Sequence, residues 1–330
     1  MIIYGNSEPR RLVTEMIKKQ REPHSIVIHG EKGLGKKTLA RWIAAALLCE
    51  RQTGEPCGVC KSCKMVFDNC HPDVMTAQSN ANGNYIVDEA IRPIVPDAQI
   101  APSEGRMKVY IIPDLDMSVN TAVQVQNILL KLIEEPPEHT AIILTARSKE
   151  IFLQTIISRV LALGVITVTE AESTDCLTQK YPDFSPAEIA EAVAAGRGNI
   201  GRCEAYLNKT AFWNSVGIAR SLCRAACGGS EYEVLKALFE ADGKKAVLRE
   251  GLSLFGEIVR DSTAFRLGGD DEKSVSCDRD GARQLSRRLS ADNAVRLYDL
   301  MCEYTARIDA NCNLNLTMNS LAGQISKITG

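Results

Sequence analysis

At 330 residues the chain exceeds the usual single hydrophobic core, and its 45% hydrophobic and 24% charged residues exclude a disordered or fibrous polymer, so two or three globular domains are expected. Lysine and arginine number 39 against 41 acidic residues, a formal net charge of -2, which argues against a protein that grips nucleic acid alone through a broad basic surface. No apolar run approaches the roughly 18 residues of a membrane span.

The N-terminal stretch Met1–Asn6 lacks a basic-then-apolar leader, so a cytoplasmic location without membrane contact is expected. Apolar runs follow at Ile26–Ile28, Val74–Ala77, Val109–Ile112, Ile142–Thr145 and Val160–Leu163, separated by helical patterns. Strands that alternate with helices imply a parallel sheet covered on both faces. The spacing predicts helices over Thr38–Leu48 and Thr121–Glu135, the second stopped by Pro136-Pro137 because proline disfavours the helical region for the residue before it. Beyond about residue 165 strand signals fade. Helices are expected at Ala187–Ala195, broken by Gly196-Arg197-Gly198, and at Ala211–Arg224, Tyr232–Glu240, Ala246–Arg260 and Ala291–Ile308, with a polar link over Leu267–Gly281. There is no internal repeat and no low-complexity tract.

Gly30-Glu31-Lys32-Gly33-Leu34-Gly35-Lys36 lies between an expected strand and an expected helix, the context a phosphate-binding loop requires. Gly30, Gly33 and Gly35 let backbone N–H groups turn toward phosphates, the helix N-terminus adds positive potential, and Lys36 can reach the β and γ oxygens. The alternative is a glycine-rich turn with surface lysines. The next residue should carry a hydroxyl for Mg²⁺, yet it is Lys37; Thr38 stands one position later, about 100° further round the helix. The run ending at Ile112 leads into Pro113-Asp114, where an ATPase needs one acidic residue for Mg²⁺ and another to orient water. Pro113 can do neither, and Asp114 is one methylene shorter than the usual glutamate. Both defects fall on the metal side. The pattern therefore favours a cradle for ATP or ADP with weak or absent hydrolysis and puts Mg²⁺ binding in question; equally open is that no nucleotide binds.

Cys49, Cys57, Cys60 and Cys63 are separated by seven, two and two residues. Two overlapping Cys-x-x-Cys steps, with Cys49 closing the set, match a structural Zn²⁺ site whose four thiolates leave no position for a reacting water. A redox pair or plain buried thiols are the competing readings, and Cys70-His71 offers a substitute ligand. Cys223 and Cys227, four residues apart on one helix face, read as core packing.

The loop followed by the cysteine cluster, His71-Pro72-Asp73, the run Asn127-Ile128-Leu129-Leu130-Lys131-Leu132-Ile133-Glu134-Glu135-Pro136-Pro137, and Thr155-Ile156-Ile157-Ser158-Arg159 together resemble the clamp-loader subunits of bacterial DNA polymerase III. The resemblance covers residues 1 to about 165, with weaker echoes at Gly198–Arg202 and Asn311–Leu316. It implies an α/β fold of the AAA+ class: a P-loop nucleotide-binding domain over 1–165 with a zinc module at 49–63, a helical lid over 166–209, and an all-α collar over 210–330. In that family a Ser-Arg-Cys motif lends an arginine finger to the ATP site of the adjacent subunit. Here the motif reads Ser158-Arg159-Val160: the cysteine is absent and the arginine kept. By the same resemblance Arg202 is placed to sense nucleotide. The family holds motor subunits with complete sites and a delta-prime branch whose site is often degenerate, and Lys37 and Pro113 put this chain nearer that branch. The implied partners are the gamma/tau and delta subunits in a ring, with the sliding clamp and primed DNA reached through the complex. Two rivals stand beside this reading: a motor ATPase that uses Thr38 or Asp116 on the metal, and a zinc-containing P-loop protein outside replication such as a nucleotide kinase.

Overall fold

The computed structural model describes residues 3–80, 83–117, 121–269 and 274–330. Residues 1 and 2 of the N-terminal stretch, and residues 270–273 of the polar link expected over 267–281, lie outside the described residues. Each expected apolar run overlaps a strand: β1 Ser25–His29, β2 Val74–Thr76, β3 Lys108–Ile112, β4 Thr140–Ala146 and β5 Leu161–Gly164. They pair in parallel in the order β2-β3-β4-β1-β5, with Ile26 opposite both Ile143 of β4 and Leu161 of β5.

Strand alternation sorts the apolar residues into two cores, because successive side chains leave opposite faces of a sheet. Ile26, Ile28, Val109, Ile111, Ala141 and Ile143 pack with Val13, Ile17, Leu39, Ile43 and Leu47. Their neighbours Val27, Tyr110, Ile112, Ile142 and Leu144 pack with Ile91, Ile94, Val125 and Leu129. Helices Ser7–Lys18 and Lys36–Leu48 thus cover one face, and helix Ala122–Glu134 the other. Each fully buried Leu, Ile or Val contributes about 1.5–3 kcal/mol relative to exposure, so burial on both faces, not the sheet's edge, holds this unit together.

The chain divides into two compact units, Met1–Val168 and Thr169–Gly330. The described residues of the second are helical or connecting, with one hydrophobic cluster running from Leu177 to Ile325. Its first two helices, Glu170–Lys180 and Pro186–Gly196, both start in capping boxes, Thr169 with Glu172 and Ser185 with Glu188, which satisfy backbone N–H groups reciprocally. The expected break at 196–198 is a left-handed turn, with φ 48° at Arg197 and 76° at Gly198. Helix Ala211–Gly228 packs on Lys245–Arg266, which in turn meets Arg279–Arg288 and Ala291–Asp309. The end of the expected polar link is therefore ordered: buried Asp261 accepts bonds from the Ser274 hydroxyl and the N–H groups of Val275 and Ser276, and Asp278 caps helix Arg279–Arg288. Among the described residues no helix is long and apolar enough to cross a membrane.

One buried carboxylate ties the approach to β2 to the loop before β3. Asp73 is 3% exposed and accepts the N–H groups of Ser103, Glu104 and Gly105 at 2.6, 2.8 and 2.6 Å. Burial by itself would raise its pKa, but the bonds from Ser103, Gly105 and Glu104 outweigh burial and hold it below the ordinary value. A group with a depressed folded pKa stabilises fully above its unfolded pKa and loses that contribution as pH falls through the folded one. Asp73→Ala should therefore cost roughly 2–4 kcal/mol at neutral pH, with a gap to the natural chain that narrows below about pH 4. Urea unfolding at pH 7 and pH 3 measures this, and an equal gap at both would refute it.

Candidate functional site

β1 lies between β4 and β5, so the loop after it opens at the carboxyl ends of the strands, the place where parallel sheets hold ligands. Gly30 donates its N–H to the Ala146 carbonyl at 3.2 Å, and a Cβ there, at φ 149°, would stand 2.6 Å from the Val165 carbonyl oxygen. Gly33 and Gly35 have φ of 92° and 80°, a region only glycine enters without strain. Gly35 then precedes helix Lys36–Leu48, two residues earlier than the start read from the sequence. Lys36 is 5% exposed, and its ammonium donates to the Gly30 and Glu31 carbonyls at 2.7 and 2.8 Å. Burial pulls its pKa below the usual lysine value, against the opposing fields of Asp114 and Asp116. Gly30, Gly33, Gly35, Lys36, Lys37 and the half-buried Thr38 thus share one loop and first turn.

The metal side is occupied by the protein's own cations. The Lys37 ammonium meets the Asp114 carboxylate at 2.7 Å, and Asp114, itself at φ 52°, donates its N–H to the Thr145 hydroxyl at 2.8 Å. Asp116 accepts from the Arg147 backbone at 3.0 Å and faces its guanidinium at 3.1 Å. Asp114, read as the water-orienting residue, and Asp116, a metal ligand in the motor reading, are thus each paired with a cation in this structure. Lys37 and Pro113 stand where octahedral Mg²⁺ would take a hydroxyl and a carboxylate oxygen, so those two positions do not suit it. Thr145 and Arg147 were not singled out from the sequence. Their signal was position: both stand at the carboxyl end of β4, beside the loop that follows β1.

Cys49, Cys57, Cys60 and Cys63 converge, all four sulfurs lying within 4.8 Å of one another. Tetrahedral thiolates about 2.3 Å from a zinc ion would sit roughly 3.8 Å apart, so the cluster fits a metal with small inward movement. Cys49 terminates helix Lys36–Leu48, and Cys60 caps helix Lys61–Phe67 by accepting the Cys63 N–H. Backbone N–H groups of Cys57, Cys60 and Cys63 point at the sulfurs of Cys49, Cys57 and Cys60, at 3.5, 3.4 and 3.4 Å. The Val59 and Cys60 N–H groups pull the Cys57 thiol down to about 6, whereas burial pushes Cys63 up. His71 stands apart from the set: it is buried, and its Nδ1 accepts the Asp73 N–H at 3.1 Å. Cys223 is buried in the core of the second unit with Cys227 packed against it.

Arg159 follows the short helix Gln154–Ile157 and precedes β5. Because β5 runs parallel to β1, with Leu161 opposite Ile26 and Gly164 opposite His29, Arg159 stands at the amino end of the sheet while the glycine loop opens at the other. At about 3.3 Å per strand residue the two are separated by roughly 15 Å or more. The guanidinium donates to the Thr155 carbonyl at 2.9 Å and the Ser158 hydroxyl at 3.0 Å, and lies 3.5 Å from Glu134, with both charged groups partly exposed. Glu134 ends helix Ala122–Glu134, which gives the Glu-Glu-Pro-Pro segment a physical reason that its proline stop alone does not. Arg202 belongs to the second unit, where it reaches Glu250 at 3.3 Å and lies over the Phe212 ring.

The family model for the DNA polymerase III delta subunit matches residues 5–168, from before the first helix to the end of the sheet unit. Over 329 residues the chain is 26% identical to DNA polymerase III subunit delta' of Bacillus subtilis, covering 95% of this chain and 94% of that protein. The chain belongs to the DNA polymerase III clamp-loader family. It is also 33% identical over 177 residues to the delta' subunit of Pseudomonas aeruginosa, covering 53% of this chain and 52% of that one. With subunit tau of Escherichia coli the identity is 34% over 235 residues, covering 68% of this chain and 35% of that protein. The clamp-loader chain thus spans about half the length of the Pseudomonas relative and about a third of tau.

The cysteine geometry of this family member makes a spectroscopic prediction. Titration of the reduced chain with Co²⁺ should saturate at about one ion, with the visible absorption of tetrahedral thiolate coordination, and Cys63→Ser should lose that signal. Absence of the band from the natural chain, or its survival in the variant, would reject the cluster as a metal site.

Proposed function

We propose that the chain is a delta-prime-like subunit of the DNA polymerase III clamp loader, and that it acts by presenting Arg159 to the ATP site of a neighbouring gamma/tau subunit. The supporting observation is the position of Arg159. It lies beyond the amino end of β5, whereas the chain's own glycine loop opens at the carboxyl ends of the strands. A side chain so placed serves a site across a subunit boundary far more easily than its own. Its ion pair with Glu134, 3.5 Å long and partly exposed on both sides, belongs to a class worth about 0–1 kcal/mol, so an approaching triphosphate can draw the guanidinium away. A planar guanidinium offers paired donors to the transferring phosphoryl and stabilises the charge that develops there.

In this reading unit 1–165 is the AAA+ domain, 166–209 a lid and 210–330 a collar that holds the subunit in a ring with gamma/tau and delta. The ring opens a sliding clamp and releases it on primed DNA in the bacterial cytoplasm. Gly30, Gly33, Gly35, Lys36, Lys37 and Thr38, with Asp114, form the chain's own ATP or ADP site. Its hydrolysis is weak or absent because Lys37 and Pro113 replace the hydroxyl and the acidic residue that would hold Mg²⁺. Zinc at Cys49, Cys57, Cys60 and Cys63 supplies a structural staple and no reacting position. Neither rival accounts for as much: the motor reading needs a free metal-side carboxylate, and a kinase needs an acceptor site.

The test is the reconstituted complex. Arg159→Ala should lower DNA-stimulated ATP hydrolysis by about 10³-fold or more at the site it serves, with assembly of the complex unchanged. Normal turnover by a complex carrying the variant would remove Arg159 from the mechanism.

A further inference from the structure

Beside the cradle, Lys37 occupies the sequence position at which phosphate loops carry the metal-binding hydroxyl. Its ammonium touches Asp114 at 2.7 Å, the acidic residue that follows β3. In a complete site that hydroxyl and an acidic residue one position before Asp114, where Pro113 stands, would hold a magnesium ion. Here a lysine and a proline take those two positions, and the Lys37 ammonium is the charge that remains beside the cradle.

We infer that Lys37 is a built-in counter-cation that replaces Mg²⁺, so that the cradle takes a nucleoside di- or triphosphate without any divalent metal. The inference rests on the nucleotide reading above and goes further by specifying the ionic form of the ligand. Three features of the geometry carry it.

First, the local charge is already positive. Lys36, Lys37 and Arg147 face the two carboxylates of Asp114 and Asp116, which leaves a surplus of one positive charge for an anion and none for a metal. Second, the donors are available. The Lys37 side chain is 57% exposed and carries three N–H donors, of which Asp114 takes one, so the others can turn to phosphate oxygens without breaking the pair. Lys36, whose ammonium now rests on the Gly30 and Glu31 carbonyls, can exchange those acceptors for phosphate. Third, the Asp114 backbone is locked by its bond to the Thr145 hydroxyl, buried at the end of β4, so the carboxylate that orients Lys37 does not drift. A divalent ion brought into this pocket would have to displace the ammonium from Asp114 or lie against it.

Calorimetric titration of the purified chain with ADP and with ATP, in Mg²⁺ and in EDTA, tests this. Affinity should change by less than about threefold between the two conditions. Lys37→Thr, which restores a hydroxyl and frees Asp114, should bind at least about tenfold more weakly in EDTA than in Mg²⁺, with an unchanged melting temperature confirming that it folds. Binding by the natural chain that collapses in EDTA would overturn the replacement of the metal while leaving the nucleotide reading intact. No binding in either condition would overturn both. A Lys37→Thr variant as indifferent to EDTA as the natural chain would show that some other group supplies the charge, and would likewise reject Lys37.

Discussion

The constraint on which this protein depends is the parallel pairing of β1 with β4 on one side and β5 on the other. Parallel strands send all their carboxyl ends one way, so the loops after β1, β3 and β4 meet at a single edge and bring Lys36, Asp114 and Arg147 within each other's field. The same pairing sends residues that precede β5 to the opposite edge, together with the end of helix Ala122–Glu134. Arg159 and its partner Glu134 are found there. Two chemically distinct surfaces thus follow from one hydrogen-bonding pattern. On the function proposed above, a ring of such units, each offering one edge to the next, would place an arginine of one chain against the phosphates of another without any chain having to fold back on itself.

Electrostatics at the loop edge then separates phosphate binding from metal binding. The cradle needs backbone N–H groups, a helix N-terminus and a lysine, all of which survive. The metal needs a hydroxyl and a carboxylate, and Lys37 and Pro113 stand at those positions, while the nearby carboxylates of Asp114 and Asp116 are paired with side-chain cations. Because the Lys37–Asp114 pair is partly exposed, its strength is modest, and its importance lies in location more than in energy. It neutralises the carboxylate that stands beside the cradle, and it does so with a cation that belongs to the chain.

Much of this was legible in the sequence, and what was missed has physical causes. The five strands stood out because parallel strands buried on both faces are continuous apolar runs. The four cysteines stood out because two short spacings confine three thiolates to one turn of chain. Helix Ser7–Lys18 escaped because only Val13, Thr14 and Ile17 of it are buried, and helix Leu314–Thr329 because its Asn, Thr and Gly residues lower its propensity while Met318, Leu321, Ala322 and Ile325 anchor it from the core. Helix Glu170–Lys180 could have been found, since Thr169 followed three residues later by Glu172 is a capping-box signal. The pairs Lys37–Asp114 and Arg159–Glu134 were beyond any local reading: each joins residues far apart in the chain, and only the sheet order decides that they meet.

The cysteine cluster acquires its meaning from the same architecture. Helix Lys36–Leu48 starts at the cradle and ends at Cys49, and from Leu39 onward nearly every residue is buried except Arg41. At 1.5 Å per residue its 13 residues carry a restraint over about 20 Å. A helix so enclosed cannot slide or tilt without disturbing the core on one face of the sheet, and a metal that gathers Cys49 with Cys57, Cys60 and Cys63 would fix its far end to the segment that leads into helix Lys61–Phe67. The near end would then keep its N-terminal turn, and with it the direction of Lys36 and Lys37, whether or not phosphate is present. On this view the staple belongs to the nucleotide site even though no cysteine approaches it, because a phosphate cradle is only as well placed as the helix whose first turn forms it.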